Sequence, residues 1–119
     1  MFDHIGLRVR NLAASVRFYK EALAPLGHII CSQDDSCAGI GPKDAPALWL
    51  YADASAPAGT HVAFRADARS DVDRFYSRGV EAGGKDNGKP GVRADYGERY
   101  YAAFLIDPDG NNVEAVCVR

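Results

Sequence analysis

Apolar and polar residues alternate in the first part of the chain, from Phe2 to Val9. A period of two residues is typical of a β-strand with one buried face. Apolar residues then recur at helical spacing from Leu12 to Leu23, and Asn11 is placed to cap that helix. Three short strand-like runs separated by glycine and proline follow the helix, at Leu26–Ser32, Ser36–Gly41 and Ala47–Tyr51.

The second half of the chain begins with the same pattern after a linker of small residues, Ala52–Gly59. An alternating run over Thr60–Ala66 predicts a strand, and Ser70 is placed to cap the next helix. The glycine-rich segment Asn87–Gly97 is expected to be a long loop. Two final strands are predicted at Arg99–Ile106 and Asn111–Val118, joined by a type I turn at Asp107–Gly110.

The two halves also share residues when the sequence is shifted by 57 positions. His4 then falls on His61, Arg8 on Arg65, and the tripeptide at 17–19 on an identical tripeptide at 74–76. These identities coincide with matching predicted elements, which indicates an internal repeat. The sequence therefore predicts a single α+β domain over residues 1–119, with βαβββ modules at 1–51 and 60–119 and a linker at 52–59.

Composition and charge argue against a disordered chain, a nucleic-acid-binding protein and an integral membrane protein. The chain has 119 residues, of which 47% are hydrophobic and 25% charged, so it can bury a core and is not disordered. A net charge of -2 without a basic block argues against a nucleic-acid partner, and no apolar run is long enough for a membrane span. Three cysteines without C-x-x-C spacing suggest neither a disulfide framework nor a zinc knuckle. With no leader pattern at the start, the expected location is cytoplasmic.

The residues that carry candidate chemistry lie on the strand faces turned away from the helices. His4 and His61 occupy equivalent positions in the first strands of the two modules, and each shares its face with an arginine, Arg8 or Arg65. Glu114 is a carboxylate in an otherwise apolar final strand. Two imidazoles and a carboxylate can bind a divalent metal on one side. The alternative is that the histidines are ordinary polar strand residues and that Glu114 pairs with an arginine.

Three segments resemble the vicinal oxygen chelate superfamily, which includes glyoxalase I, bleomycin-resistance proteins and extradiol dioxygenases. They are Asp3–Val9, Ser15–Tyr19 and Asp107–Glu114. The resemblance implies a curved half-barrel sheet around a cavity. It also implies a divalent metal, iron, manganese, nickel or zinc, held by His4, His61 and Glu114.

One position departs from the glyoxalase I pattern. Aligning the last strands of the modules puts Trp49 opposite Glu114, where glyoxalase I has a fourth metal ligand. An indole has no lone pair to offer a metal. We therefore do not expect authentic glyoxalase I activity, and expect Trp49 to form an apolar wall for the substrate.

Three further residues are candidates for substrate binding. Arg8 and Arg65 suit a carboxylate or phosphate, although pairing with acidic side chains is an equal alternative. Tyr101 is the candidate hydrogen-bond donor, but a register slip of one residue would exchange it with Tyr100.

Two functions from different classes follow. The first is a metal-dependent lyase, isomerase or dioxygenase acting on a small molecule that chelates the metal through two oxygens. The second is a metal-free protein of the bleomycin-resistance type that binds a drug or metabolite. A homodimer is expected in either case, and the sequence leaves open whether His4 meets Glu114 within one chain or across a two-fold axis.

Overall fold

The computed structural model describes all 119 residues and contains eight strands and two α-helices. In the first half these are β1 (Ile5–Val9), α1 (Leu12–Leu23), β2 (Ile29–Gln33), β3 (Cys37–Gly41) and β4 (Leu48–Ala52). In the second half they are β5 (His61–Arg65), α2 (Arg69–Glu81), β6 (Lys85–Val92), β7 (Tyr101–Ile106) and β8 (Asn112–Cys117). Neither helix is both long and apolar enough to cross a membrane.

The strands form two four-stranded sheets with the same topology. The strand order is β1-β4-β3-β2 in the first sheet and β5-β8-β7-β6 in the second. In each sheet the first and last strands of the module are parallel neighbours, and the other pairs are antiparallel. This repeated topology confirms the predicted α+β fold of two tandem βαβββ modules. No strand of one sheet is hydrogen-bonded to a strand of the other, so β1 and β5 each keep one free edge.

The two modules share one hydrophobic core. It contains residues of both sheets and both helices, among them Leu7, Phe18, Phe75 and Leu105. Helix α2 packs closely on strand β7 at Gly79, where an added Cβ would lie 2.4 Å from the Leu105 side chain. A larger residue there would force α2 away from its sheet, because packed interiors have no room for extra atoms.

The turn between β7 and β8 joins the second module to the first. The Gly110 amide donates a hydrogen bond to the Asp107 carbonyl at 3.0 Å, as expected for a β-turn over Asp107–Gly110. The Asp107 carboxylate also accepts hydrogen bonds from the Tyr19 hydroxyl of α1 (2.5 Å) and from the amide of Asn111 (2.8 Å). Burial, followed by the charge of Asp107, raises the pKa of Tyr19 well above its ordinary value. The hydroxyl is therefore a donor at all ordinary pH values.

A second carboxylate in the same turn makes contacts with the start of the first module. Asp109 is buried and accepts hydrogen bonds from the Arg10 backbone amide (2.9 Å) and the Arg10 Nε (3.0 Å). Ser15, also buried, donates to the other carboxylate oxygen at 3.3 Å. We call Asp107 and Asp109 with these partners the turn clamp. The acidic motif that marks this turn in the sequence therefore has a structural role that holds the modules together.

Two local predictions were wrong. The segment predicted as a loop at Asn87–Gly97 is a strand as far as Val92, because β6 pairs with β7 through its backbone despite two register shifts around Gly88. An edge strand tolerates the glycines and Pro90, since one side of its backbone needs no partner. Ser70 does not cap α2, which begins at Arg69 after Ala68 without a side-chain cap.

Candidate functional site

A polar pocket lies on the face of the second sheet that is turned away from the helices. The parallel pairing of β5 with β8 puts Ala63 beside Glu114, so His61 lies near the same carboxylate. Glu114 is only 3% exposed, whereas half of the His61 side chain is open to solvent. The pocket has a volume of about 400 Å³ and is lined by His61, Tyr96, Tyr100, Phe104, Asn112 and Glu114. We call it the open-face pocket.

The imidazole of His61 is oriented by two contacts. Its Nδ1 lies 3.1 Å from the carbonyl oxygen of Asn112, and its Nε2 lies 3.2 Å from Oε1 of Glu114. A carbonyl oxygen only accepts hydrogen bonds, so Nδ1 carries a proton. In a neutral ring the Nε2 lone pair then faces a carboxylate oxygen, and two acceptors do not attract each other. A cation between the two atoms, either a proton or a metal ion, makes this arrangement favourable.

Tyr100 holds the other oxygen of the same carboxylate. Its hydroxyl donates a hydrogen bond to Oε2 of Glu114, which leaves Oε1 directed at His61. This hydrogen bond is the main cause that raises the pKa of Tyr100 to about 12, with smaller contributions from burial and from the negative charge of Glu114. The Tyr96 ring packs edge-on against Tyr100, with 5.2 Å between ring centroids. Glu114 is thereby fixed in one orientation.

The tyrosine predicted to bind substrate lies on the opposite face. Tyr101 donates a hydrogen bond to Asp73 of α2 at 2.6 Å, and the Arg69 guanidinium lies over its ring. The expectation that Tyr101 reaches the open face is therefore corrected: Tyr100 does. The reason is the β7–β8 register, in which Phe104 pairs with Glu114, so that even-numbered residues of β7 share the face of Glu114.

Two residues of the open-face pocket were missed in the sequence. Asn112 precedes Glu114 by two positions and Phe104 lies across from it, so both share its face. Residues two positions apart in a strand share a face, so the sequence could have predicted that Asn112 lies beside Glu114. Its Oδ1 is buried and has no hydrogen-bond partner within the chain. Asn112 thus brings a buried acceptor without a partner to the wall of the pocket.

The third predicted metal ligand is not in this pocket. The Nδ1 of His4 lies 2.6 Å from the Asp3 carboxylate, and about half of the His4 side chain is exposed. No three acidic, histidine or cysteine side chains of one chain are grouped closely enough to hold a metal ion. The single chain brings together two members of the predicted triad, His61 and Glu114.

The predicted arginine candidates have different surroundings. Arg8 forms an ion pair with Asp53 at 3.3 Å, which is the acidic pairing held open as the alternative. Arg65 is exposed on the free-edge strand β5 and makes no ion pair. Of the two, Arg65 is the one whose guanidinium is available to an anionic group.

Trp49 occupies the position in the first module that Glu114 has in the second. Trp49 pairs with Gly6 of β1, and Glu114 pairs with Ala63 of β5. Gly6 and Ala63 are equivalent positions of the two modules, because they are 57 residues apart. The indole lies against Gly39 of the neighbouring strand, where an added Cβ would be 2.8 Å from the ring. The ring therefore lies flat along the open face of the first sheet.

Replacing Gly39 by alanine is expected to displace this ring. The added methyl group would overlap the indole, so we expect an altered emission maximum of the single tryptophan and a loss of stability of about 1–3 kcal/mol. Fluorescence and urea denaturation measure both. Gly6→Ala is the matched control, because its methyl would meet the Tyr51 ring instead. An unchanged emission spectrum in Gly39→Ala would contradict the flat packing of Trp49.

The Tyr100 phenol is expected to titrate near pH 12 in metal-free protein. Because the folded chain holds this proton more tightly than the unfolded chain, its contribution to stability is complete below pH 10 and is lost as pH rises towards 12. Glu114→Ala should lower the pKa towards its ordinary value, since alanine removes the hydrogen-bond acceptor that is the main cause of the shift. Tyrosine-selective carbon NMR follows the titration, with Tyr101 as internal reference. An unchanged Tyr100 titration in the variant would contradict the hydrogen bond.

The chain is similar to known proteins over nearly its whole length. A family model described as Glyoxalase/Bleomycin resistance protein/Dioxygenase superfamily matches residues 1–115. A glyoxalase/bleomycin resistance protein from Albidiferax ferrireducens T118 has a structure with 28% identity and a TM-score of 0.85, and the match covers 98% of each chain.

Two further structures share the fold at lower identity. A glyoxalase-related enzyme from Fulvimarina pelagi is 22% identical with a TM-score of 0.74, covering 95% of this chain and 84% of that one. A glyoxalase/dioxygenase from Nostoc punctiforme is 21% identical with a TM-score of 0.73, covering 100% and 91%. No curated protein matches the chain.

Proposed function

Because the chain belongs to the glyoxalase/bleomycin resistance protein/dioxygenase superfamily, we propose that it is an enzyme with a divalent metal centre built on His61 and Glu114. One observation carries the proposal: Nε2 of His61 lies 3.2 Å from a carboxylate oxygen of Glu114, while Nδ1 is held by the Asn112 carbonyl. That arrangement fits a cation shared by the two groups. The donor set, one imidazole and one carboxylate, suits iron, manganese, nickel or zinc.

The neighbouring residues support this use of the pair. The Asn112 carbonyl selects the tautomer of His61, and Tyr100 fixes the orientation of Glu114. Such outer contacts hold metal ligands in place in many proteins. Once bound, the metal would polarise two oxygens of a small substrate as a Lewis acid.

Groups of the chain itself would position that substrate. The unpaired Oδ1 of Asn112 can accept a hydrogen bond from a substrate hydroxyl or N–H in the pocket. Phe104 and Tyr96 supply apolar walls, and Arg65 is available for an anionic group. Residues of these types favour a small molecule with adjacent oxygens and an apolar or planar part.

The third ligand of the proposed centre is His4 of a second copy of the chain. The free edges of β1 and β5 support a homodimer, because unpaired strand edges readily pair with another strand. His4 immediately precedes β1, and His61 begins β5. A contact between the β1 edge of one copy and the β5 edge of the other would therefore bring the two histidines to a common interface.

Mixing two inactive variants tests this centre. In a dimer of His4→Ala with Glu114→Ala, one of the two shared sites is intact, so the mixture should regain metal uptake that both variants lack alone. Random mixing makes half of the dimers mixed, so we expect about a quarter of the wild-type capacity. Mixing His61→Ala with Glu114→Ala is the matched control, because both residues come from the same copy and each site of the mixed dimer therefore lacks one ligand. Failure of the first mixture to recover uptake would exclude a shared centre.

A mixed dimer of His61→Ala with Glu114→Ala has one damaged ligand in each of its two sites, so it stays without a complete centre. Metal analysis by mass spectrometry after gel filtration reads both mixtures, and the filtration profile reports the oligomeric state. A monomeric profile at all concentrations would contradict the proposed homodimer directly.

A second function is favoured by one observation. Because no single chain groups three metal ligands, a metal-free protein that binds a drug or metabolite in the open-face pocket is the alternative. Wild-type protein that takes up no iron, manganese, nickel or zinc as monomer or dimer would establish this alternative over the enzyme.

A further inference from the structure

A second cavity lies between the two modules and is lined largely by apolar side chains. Its volume is about 200 Å³. The side chains that line it include Ile5, Leu23, Ile40, Leu48, Val62 and Phe64, so both halves of the chain contribute. None of these residues lines the open-face pocket. We call this space the inter-module cavity.

One residue that lines this cavity carries a buried polar atom without a hydrogen-bond partner. Two buried side-chain atoms in the chain lack a hydrogen bond: Oδ1 of Asn112 in the open-face pocket and Nδ1 of His28. His28 lines the inter-module cavity, and its backbone is held by a hydrogen bond from its amide to the Leu23 carbonyl. Burial lowers the pKa of His28, so the ring is neutral and offers Nδ1 for one hydrogen bond. An unpaired buried group of this kind is costly unless a ligand satisfies it.

The mouth of the cavity restricts the charge of a ligand. The Asp3 carboxylate, almost fully exposed, lies at the rim and accepts a contact from the His4 ring. A negative charge at the rim disfavours anions. The size of the cavity is also informative, because an apolar cavity of about 150 Å³ is enough to bind benzene in another protein.

From these observations we propose that the inter-module cavity binds a neutral, benzene-sized molecule that carries one hydroxyl group. The apolar ring would occupy the space between the modules, and the hydroxyl would hydrogen-bond to Nδ1 of His28. This site shares no lining residue with the open-face pocket, and it goes beyond the proposed metal-dependent activity, although His4, the proposed third metal ligand, also lines the cavity.

Phenol, benzene and benzoate are the probes that test the proposal. Titration into labelled wild-type protein should shift the backbone amides of Leu48 and Val62 with phenol at millimolar concentrations. Phenol should bind about fivefold more tightly than benzene, as one neutral hydrogen bond allows, and benzoate should not bind. His28→Leu should lose the preference for phenol and keep benzene binding.

Further variants locate the binding. Val62→Trp should fill the cavity and abolish binding of both rings, and Ala47→Phe at the rim is a second filling variant should Val62→Trp fail to fold. Val92→Trp, at an exposed position of β6, is the matched control and should bind normally. Glu114→Gln should also bind phenol normally, because it alters only the open-face pocket.

Three results would overturn the proposal. The first is the absence of shifts at Leu48 and Val62 under saturating phenol. The second is loss of phenol binding in Glu114→Gln, which would place the probe in the open-face pocket. The third is that the amide chemical shifts of Val62 and Phe64 change with protein concentration while phenol does not bind. That result would mean that a second copy of the chain fills the cavity.

Discussion

Glu114→Gln is expected to lower the affinity for divalent metal by more than about 100-fold while the fold stays intact. The carboxylate is buried, and its Oε1 faces the His61 lone pair, so it is the charged ligand of the proposed centre. Loss of an outer contact to a metal ligand already costs about 10–100-fold, and loss of the ligand itself should cost more. Glutamine keeps the shape of the side chain and can still accept the Tyr100 hydrogen bond.

The measurement is competition with a chromophoric chelator for manganese, nickel, zinc and iron(II). Glu98→Gln is the matched control, because Glu98 is an exposed carboxylate in the loop after β6. In metal-free protein, Glu114→Gln should stay folded, since glutamine has the shape of glutamate and still accepts the Tyr100 hydrogen bond. Saturating metal should raise the melting temperature of the wild type only. Equal metal affinity in wild type and Glu114→Gln would show that other donors hold the metal.

The repeat in the sequence was the most informative signal for the fold. A shift of 57 residues relates the first strand and the helix of the two modules, and it places Gly6, the partner of Trp49, on Ala63, the partner of Glu114. Such local periodicity determines which residues share a strand face. It therefore predicted correctly that His61 and Glu114 lie on one face.

The errors arose where backbone pairing or register decided the outcome. Strand β6 has the composition of a loop, and only its hydrogen bonds with β7 make it a strand. Tyr100 and Tyr101 are adjacent, so the face of each depends on how many residues the turn after Ile106 consumes. The pattern of apolar residues along the chain predicts neither the backbone pairing of β6 nor the number of residues in that turn.

The position of His4 shows a limit of a different kind. The repeat relates His4 to His61 correctly, but it carries no information on how one module sits beside the other. In the structure the two sheets share no hydrogen-bonded strands, so His4 is beside Asp3 and not beside Glu114. The arrangement of the modules depends on long-range contacts such as the turn clamp. From the sequence, Asp107 and Asp109 were predicted only to form a turn, not to be buried hydrogen-bond acceptors.

Asp107→Ala is expected to lose about 3–5 kcal/mol of unfolding free energy. Its carboxylate is 4% exposed and accepts four hydrogen bonds, from the Tyr19 hydroxyl, the Asp109 amide, and the amide and side chain of Asn111. Alanine leaves these buried donors without a partner. The loss is a large part of the stability that a domain of this size has.

Urea denaturation measures this loss, and a double-mutant cycle with Tyr19→Phe shows how much of it passes through α1. Because Tyr19→Phe removes the donor that Asp107→Ala would leave unpaired in a fully buried position, the double variant should be destabilised by less than the sum of the single variants. Asp95→Ala, an exposed carboxylate, is the control and should unfold at the wild-type urea concentration. Additive losses in the cycle would mean that the turn clamp does not act through Tyr19, and a loss below about 1 kcal/mol for Asp107→Ala would mean that this turn does not hold the two modules together.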